Sequence, residues 1–127
     1  MTACDVYIGD LDDPEFYWYG GDWNGNVPKS LASDFPPVGG SYNECFHRWV
    51  DKSGVECRQT DFGGWVCRVT SQQLADYIDY CYGADSKYTD PDKKLYWDHF
   101  NDRLEEIRRF VADLEDDKEY ALVATEF

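Results

Sequence analysis

The chain holds two histidines and five cysteines, its candidates for neutral-pH bases and nucleophiles. His47 follows Cys45 by two positions, and an imidazole with a pKa near 6.5 can take a proton from a thiol. A small hydrolase built on Cys45 or Cys57 with His47 is one chemistry to weigh. His99 is expected on the flank of a helix, in solvent. Cys45-Phe-His47 lacks the paired ligand spacing of a zinc site. Asp22-Trp-Asn-Gly-Asn26 opens like a calcium loop. However, Val27 stands where the loop glycine belongs and Ser33 where the bidentate glutamate belongs. No glycine-rich phosphate cradle and no serine elbow occurs. The expectation is a protein that is not an enzyme and holds neither cofactor nor metal.

Carboxylates are the abundant chemistry. The 127 residues include 26 Asp and Glu against 12 Lys and Arg, a net charge of −14. Residues 1–63 carry 11 acids and 4 bases, and residues 64–127 carry 15 and 8, so the acid is not a tail. Such a balance excludes a phosphate-neutralising nucleic-acid binder and opposes docking on anionic lipid. It also exceeds the magnitude of about 2–8 that keeps a small domain soluble. Like charges at i,i+4 cost a few tenths of a kcal/mol per pair, so something other than folding is served by keeping them. At 100° per residue, Asp102, Glu105, Asp113 and Asp116 fall within about 60° of Asp98 on one helix. Asp76 and Asp79 do the same on a preceding helix. Asp10, Asp12, Asp13 and Glu15 form a third patch beside the aromatic run Phe16-Tyr-Trp-Tyr19, where Tyr17 and Tyr19 are candidate contact residues.

Those groups need elements to position them. Cys4–Ile8 and Phe16–Tyr19 read as strands. Asp22–Asn26 reads as a turn, and Lys29–Phe35 as a helical turn or two ahead of Pro36-Pro37. Ser41 and Glu44 have capping-box spacing, which predicts a helix to about Lys52 that buries Cys45, Phe46, Trp49 and Val50, with Gly54 just past it. Val55–Thr60 and Trp65–Val69 read as a hairpin around Asp61–Gly64, with Cys57 and Cys67 facing each other across it. Thr70 and Gln73 repeat the capping box before Leu74, Tyr77, Ile78, Cys81 and Tyr82, and Gly83 suits the C′ position.

A last helix is capped by Thr89 or Asp90, with Pro91 in its first turn. Its apolar face is Tyr96, Phe100, Leu104, Ile107, Val111 and Leu114, and it runs to about Asp117, roughly 38 Å at 1.5 Å per residue. Tyr120–Phe127 closes as a strand. The fold class is α+β: a single compact domain spanning 1–127, with a small antiparallel sheet and two or three helices including one long C-terminal helix.

The N-terminal stretch Met1–Tyr7 has no basic start and no apolar run of signal-peptide length, and no stretch approaches the about 20 apolar residues of a membrane span. Five widely spaced cysteines make an odd set, which predicts reduced, mostly buried thiols and a cytoplasmic location. With 17% aromatic residues, not all of them core, the surface suits protein contacts.

A strongly acidic, aromatic-rich domain of this kind is expected to bind a basic nucleic-acid-binding protein and to block its nucleic-acid site. It would act as a monomer, with no direct contact to nucleic acid or membrane. In size, charge, lone-domain organisation and acidic helix faces the chain resembles the phage-encoded anti-CRISPR inhibitors that act as DNA mimics. That resemblance implies a CRISPR-Cas effector as target, with its protospacer-adjacent-motif or DNA-channel site occluded. An immunity protein or antitoxin neutralising a basic toxin nuclease would use the same physics.

Overall fold

The computed structural model describes residues 4–19, 22–23, 25–31, 44–60, 64–83 and 94–126, and their side chains apart from those of 4, 5, 19, 22, 23, 44, 94–101 and 126. In chain order the elements are β1 (Cys4–Gly9), β2 (Trp18–Tyr19), β3 (Asp22–Trp23), α1 (Glu44–Ser53), β4 (Cys57–Gln59), β5 (Trp65–Thr70), α2 (Ser71–Tyr82), α3 (Lys94–Ala112) and β6 (Glu119–Glu126). Four strands form an antiparallel sheet in the order β1-β6-β5-β4, and β2 pairs with β3. This is a small α+β fold, and no described helix is long and apolar enough to cross a membrane.

The sheet is apolar on both faces, because alternate residues of its strands are sorted into two cores. Ile8, Cys67, Val69, Tyr120 and Leu122 face the helices and pack with Phe46 and Trp49 of α1, Leu74, Tyr77 and Ile78 of α2, and Leu104, Ile107 and Val111 of α3. Val66, Ala121 and Val123 face the other way and are covered by Phe16 and Trp18. The N-terminal segment is thus a strap across the second face. Phe16 and Trp18 point inward at 6% and 2% exposure, while Tyr17 between them stands 46% exposed. The Arg58 and Arg68 guanidiniums lie 5.4 and 5.0 Å from the Trp18 ring centroid, and Arg68 donates a hydrogen bond to the Trp18 carbonyl.

The strap returns along β1. Ser30 bridges to Gly9, the Leu31 N–H donates to the Ile8 carbonyl at 2.7 Å, and the Asp10 N–H donates to the Lys29 carbonyl at 2.9 Å. Gly9 is required here: a Cβ would stand 2.7 Å from Pro28 Cγ.

Several expectations hold. Thr70 and Gln73 form a complete capping box at the start of α2. Gly54 takes φ 71° just past α1, and its N–H returns to the Val50 carbonyl at 3.0 Å. The β4–β5 hairpin pairs Cys57 with Cys67.

Others are corrected. Asp22–Trp23 is not turn but strand, and only Trp18–Tyr19 of the aromatic run pairs with it. Residues 29–31 are extended rather than helical, because their backbone groups are taken by β1; 32–40 lie outside the described residues, as do the proposed caps Ser41, Thr89 and Asp90. Gly83 does follow α2 as its cap, its N–H bonded to the Asp79 carbonyl, but with φ −68° rather than the left-handed value usual there. A Cβ on Gly83 would stand 2.4 Å from that oxygen, so close approach is what selects glycine. Finally, α3 is 19 residues long and ends at Ala112, short of Asp117. Carboxylates at 113 and 115–117 oppose the negative end of the helix dipole. The chain instead tightens: the Asp113 N–H is shared between the Arg109 and Phe110 carbonyls, and the Leu114 N–H reaches Val111.

Candidate functional site: an acidic end of the sheet

Strand register decides which acids meet. Gly9, the last residue of β1, is opposite Ala121 near the start of β6, and Thr70, the last residue of β5, is opposite Glu119. The loop after β1, the turn between α3 and β6, and the start of α2 therefore gather at one end of the sheet. Two contacts tie them. Lys118 Nζ lies 2.9 Å from Asp12 Oδ2, and Ser71 Oγ lies 3.3 Å from Asp116 Oδ1. The Glu115 N–H donates to the Tyr120 hydroxyl at 3.1 Å, which fixes the turn against the core.

This end presents Asp10, Asp12, Glu15, Asp113, Glu115, Asp116, Asp117 and Glu119, all exposed except the half-buried Asp10. Lys118 is the lysine within the turn, and Lys29 lies beside the loop on the returning limb, where its backbone bonds Asp13 and Asp10. Asp12 accepts a hydrogen bond from the Lys118 ammonium and pushes its pKa up. Tyr17, two residues past Glu15, stands exposed.

Asp13 has a different task from its neighbours. It is 8% exposed, and its two oxygens accept the N–H groups of Glu15 at 3.0 Å and Lys29 at 2.9 Å. Those two backbone donors hold its carboxyl below the usual range. Asp13 clips the strap to its returning limb and is not a surface contact residue. Asp10 shapes the same loop by accepting the Asp12 N–H at 2.9 Å.

The helix stripe is shorter than the spacing predicts. Asp113 and Asp116 lie beyond the end of α3, so they leave the row that Asp98, Asp102 and Glu105 begin. Asp98 is on α3, but its side chain lies outside those described, as does that of Tyr19 on β2. Asp102 is exposed. Glu105 pairs with Arg109 one turn on, and Asp79 pairs with Arg108 across the α2–α3 contact at 2.8 Å. Asp76 accepts the indole N–H of the fully buried Trp49 at 2.9 Å. Arginines and an indole therefore engage much of the acid on this helical face.

Sequence reasoning had Asp10, Asp12, Glu15, Asp113 and Asp116 but spread them over two patches. It missed Glu115, Asp117 and Glu119. Their signal was a run of acids from 113 to 119, too dense for one face of a helix.

His47 and Cys45 each have other described neighbours. The His47 ring packs edge-on against Trp65 at 4.6 Å and Phe46 at 5.5 Å. The Cys45 thiol instead meets Cys81 and Tyr77, and its pKa falls while that of Cys81 rises. His99 has no described side chain. Among the described residues, no group of three or more His, Cys, Asp or Glu is placed to hold a metal ion. No protein family, curated protein or solved structure matches this chain.

Proposed function

We propose that the acidic end is a docking surface for a basic, nucleic-acid-binding protein, and that its carboxylates compete there with nucleic-acid phosphate. One observation carries the reading. Loop 10–15 and turn 113–119, about a hundred residues apart in sequence, are brought side by side by strand register and the Lys118–Asp12 bridge. Eight carboxylates against two lysines give a field that attracts a cationic channel and speeds encounter with it. The attached strap and β6 backbone hold these groups without a folding step on binding, which keeps the ordering cost low. Tyr17 at the margin supplies an amphipathic ring of the sort that anchors protein interfaces.

The likeness to DNA-mimic anti-CRISPR inhibitors makes a CRISPR-Cas effector the first partner to try, with its protospacer-adjacent-motif site as the contested surface. The test is displacement of a labelled DNA duplex from such an effector by the full chain. Displacement that weakens steeply between 50 and 500 mM salt is expected, as screening shortens to about 3 Å near 1 M. Simultaneous binding of chain and DNA to the effector would refute competition. Displacement from a toxin nuclease alone would move the partner to the immunity-protein class.

A further inference from the structure

Cys57 and Cys67 are directly opposite in the β4–β5 ladder, and neither is in a disulfide. The backbone bonds fix what kind of pair they make. The Thr60 N–H donates to the Gly64 carbonyl at 2.7 Å, and the Arg68 N–H donates to the Glu56 carbonyl at 2.9 Å. In this register 60 is opposite 64 and 56 is opposite 68, so hydrogen-bonded pairs take the even positions. Cys57 and Cys67 are therefore a non-hydrogen-bonded pair, whose Cα atoms approach to about 4.5 Å, within the roughly 4.4–6.8 Å span of a disulfide. Their thiols are already within hydrogen-bonding contact. Cys67 is fully buried, whereas Cys57 is half-buried on the edge strand of the sheet.

We propose that Cys57 and Cys67 are a dithiol–disulfide couple, oxidised in the folded protein by low-molecular-weight disulfides of the glutathione kind. The two sulfurs divide the work. The hydrogen bond between them lowers the pKa of Cys57 and raises that of Cys67. Cys57 is thus both the accessible sulfur and the one that more readily becomes thiolate, so it attacks first. It bonds to one sulfur of the oxidant. The S–S electron pair leaves with the other half, which takes up the proton that Cys57 released. Cys67 then gives its proton to solvent and attacks the Cys57 sulfur. A Cys57–Cys67 bond forms, the mixed disulfide breaks, and the second small thiolate leaves and is protonated. Two protein thiols are oxidised, and one small disulfide is reduced to two thiols.

The product clamps β4 to β5 without moving either strand. Cys45 and Cys81 supply an internal comparison, since they also touch but are both buried between α1 and α2. They lack a sulfur that a dissolved oxidant can reach in the folded chain.

The experiment is incubation of the reduced full chain with oxidised glutathione under native conditions, then alkylation, proteolysis and mass mapping. The expected product is a peptide pair joined through Cys57 and Cys67, two hydrogens lighter, more heat-stable as intact protein, and reversed by dithiothreitol. Iodoacetamide should label Cys57 well before Cys67. Cys57→Ser, with a circular dichroism spectrum matching wild type, should form no such link. Three outcomes would overturn the couple: a lasting glutathione adduct on Cys57, a link between Cys45 and Cys81 in its place, or no oxidation of the folded chain.

Discussion

Lys118 on the turn before β6 is ion-paired with Asp12 on the loop after β1, at 2.9 Å. The contact joins the two acidic segments that make the candidate surface, and it places a cation within a field of carboxylates. Lys118→Met removes the charge and keeps much of the stem. It should raise the association rate with a basic partner at low salt, since the surface then presents one more net negative charge. The melting temperature should change little, because exposed pairs contribute little to folding. Stopped-flow association at 20–150 mM salt checks this. A slower rate at unchanged stability would mean that the bridge orders the surface more than it offsets its charge.

Asp13 should make the strap sensitive to acid. Its folded pKa is held below the ordinary 3.8 by two backbone N–H donors. A depressed carboxylate stabilises the fold above its unfolded pKa, and that stability is lost as pH falls through the folded value. Stability should therefore decline below about pH 4 in wild type, and less steeply in Asp13→Asn. Urea unfolding at pH 3, 4 and 7 reads the difference. Equal slopes for the two proteins would remove Asp13 as the titrating group.

Asp76 should behave as part of the fold. Asp76→Ala strands the Trp49 indole N–H, and an orphaned buried donor costs about 1–3 kcal/mol. Asp102→Ala, with an exposed side chain, should fall within about 0.5 kcal/mol of wild type. Chemical unfolding of both variants decides. Equal stability would place Asp76 among the merely solvated acids.

Gly9→Ala should loosen the strap and spare the helical core. The added methyl meets Pro28 at 2.7 Å, with Ala121 and Val123 at 3.2 Å behind it, so the strap must lift. Faster hydrogen exchange at Leu31 and Lys29, with the β5–β6 amides unchanged, is the expected pattern. An unaltered Leu31 amide would show that the strap yields without losing its bond to Ile8.

What the sequence disclosed follows the range of the forces involved. The α2 capping box and the β4–β5 hairpin are local, and both are legible because Thr70 and Gln73, or Cys57 and Cys67, lie within a few residues of a turn. The β2–β3 ribbon is misread because Asp22 and Trp23 have turn-like neighbours, and the pairing that overrides them comes from Trp18 and Tyr19. The end of α3 is misread because the apolar spacing continues to Leu114, which is still half-buried after the helix has stopped. Composition announces an acidic surface. Which carboxylates share a place depends on β6 lying between β1 and β5, a non-local fact. Asp13 and Glu15 look alike in sequence, yet one is buried as a clip and the other exposed.

The central claim is tested most directly by two charge reversals compared in one displacement assay. Glu115→Lys with Asp117→Lys inverts the acidic end at side chains that face solvent. Asp102→Lys with Glu105→Lys inverts the helical face. Losing one side of a desolvated charge pair costs roughly 2–5 kcal/mol, so the first protein should lose at least about 30-fold in its ability to displace DNA from the effector. The second should stay within a few-fold of wild type, and both should melt close to it. Undiminished displacement by a folded Glu115→Lys, Asp117→Lys protein, with loss in the Asp102→Lys, Glu105→Lys protein, would contradict the account and return the site to α3.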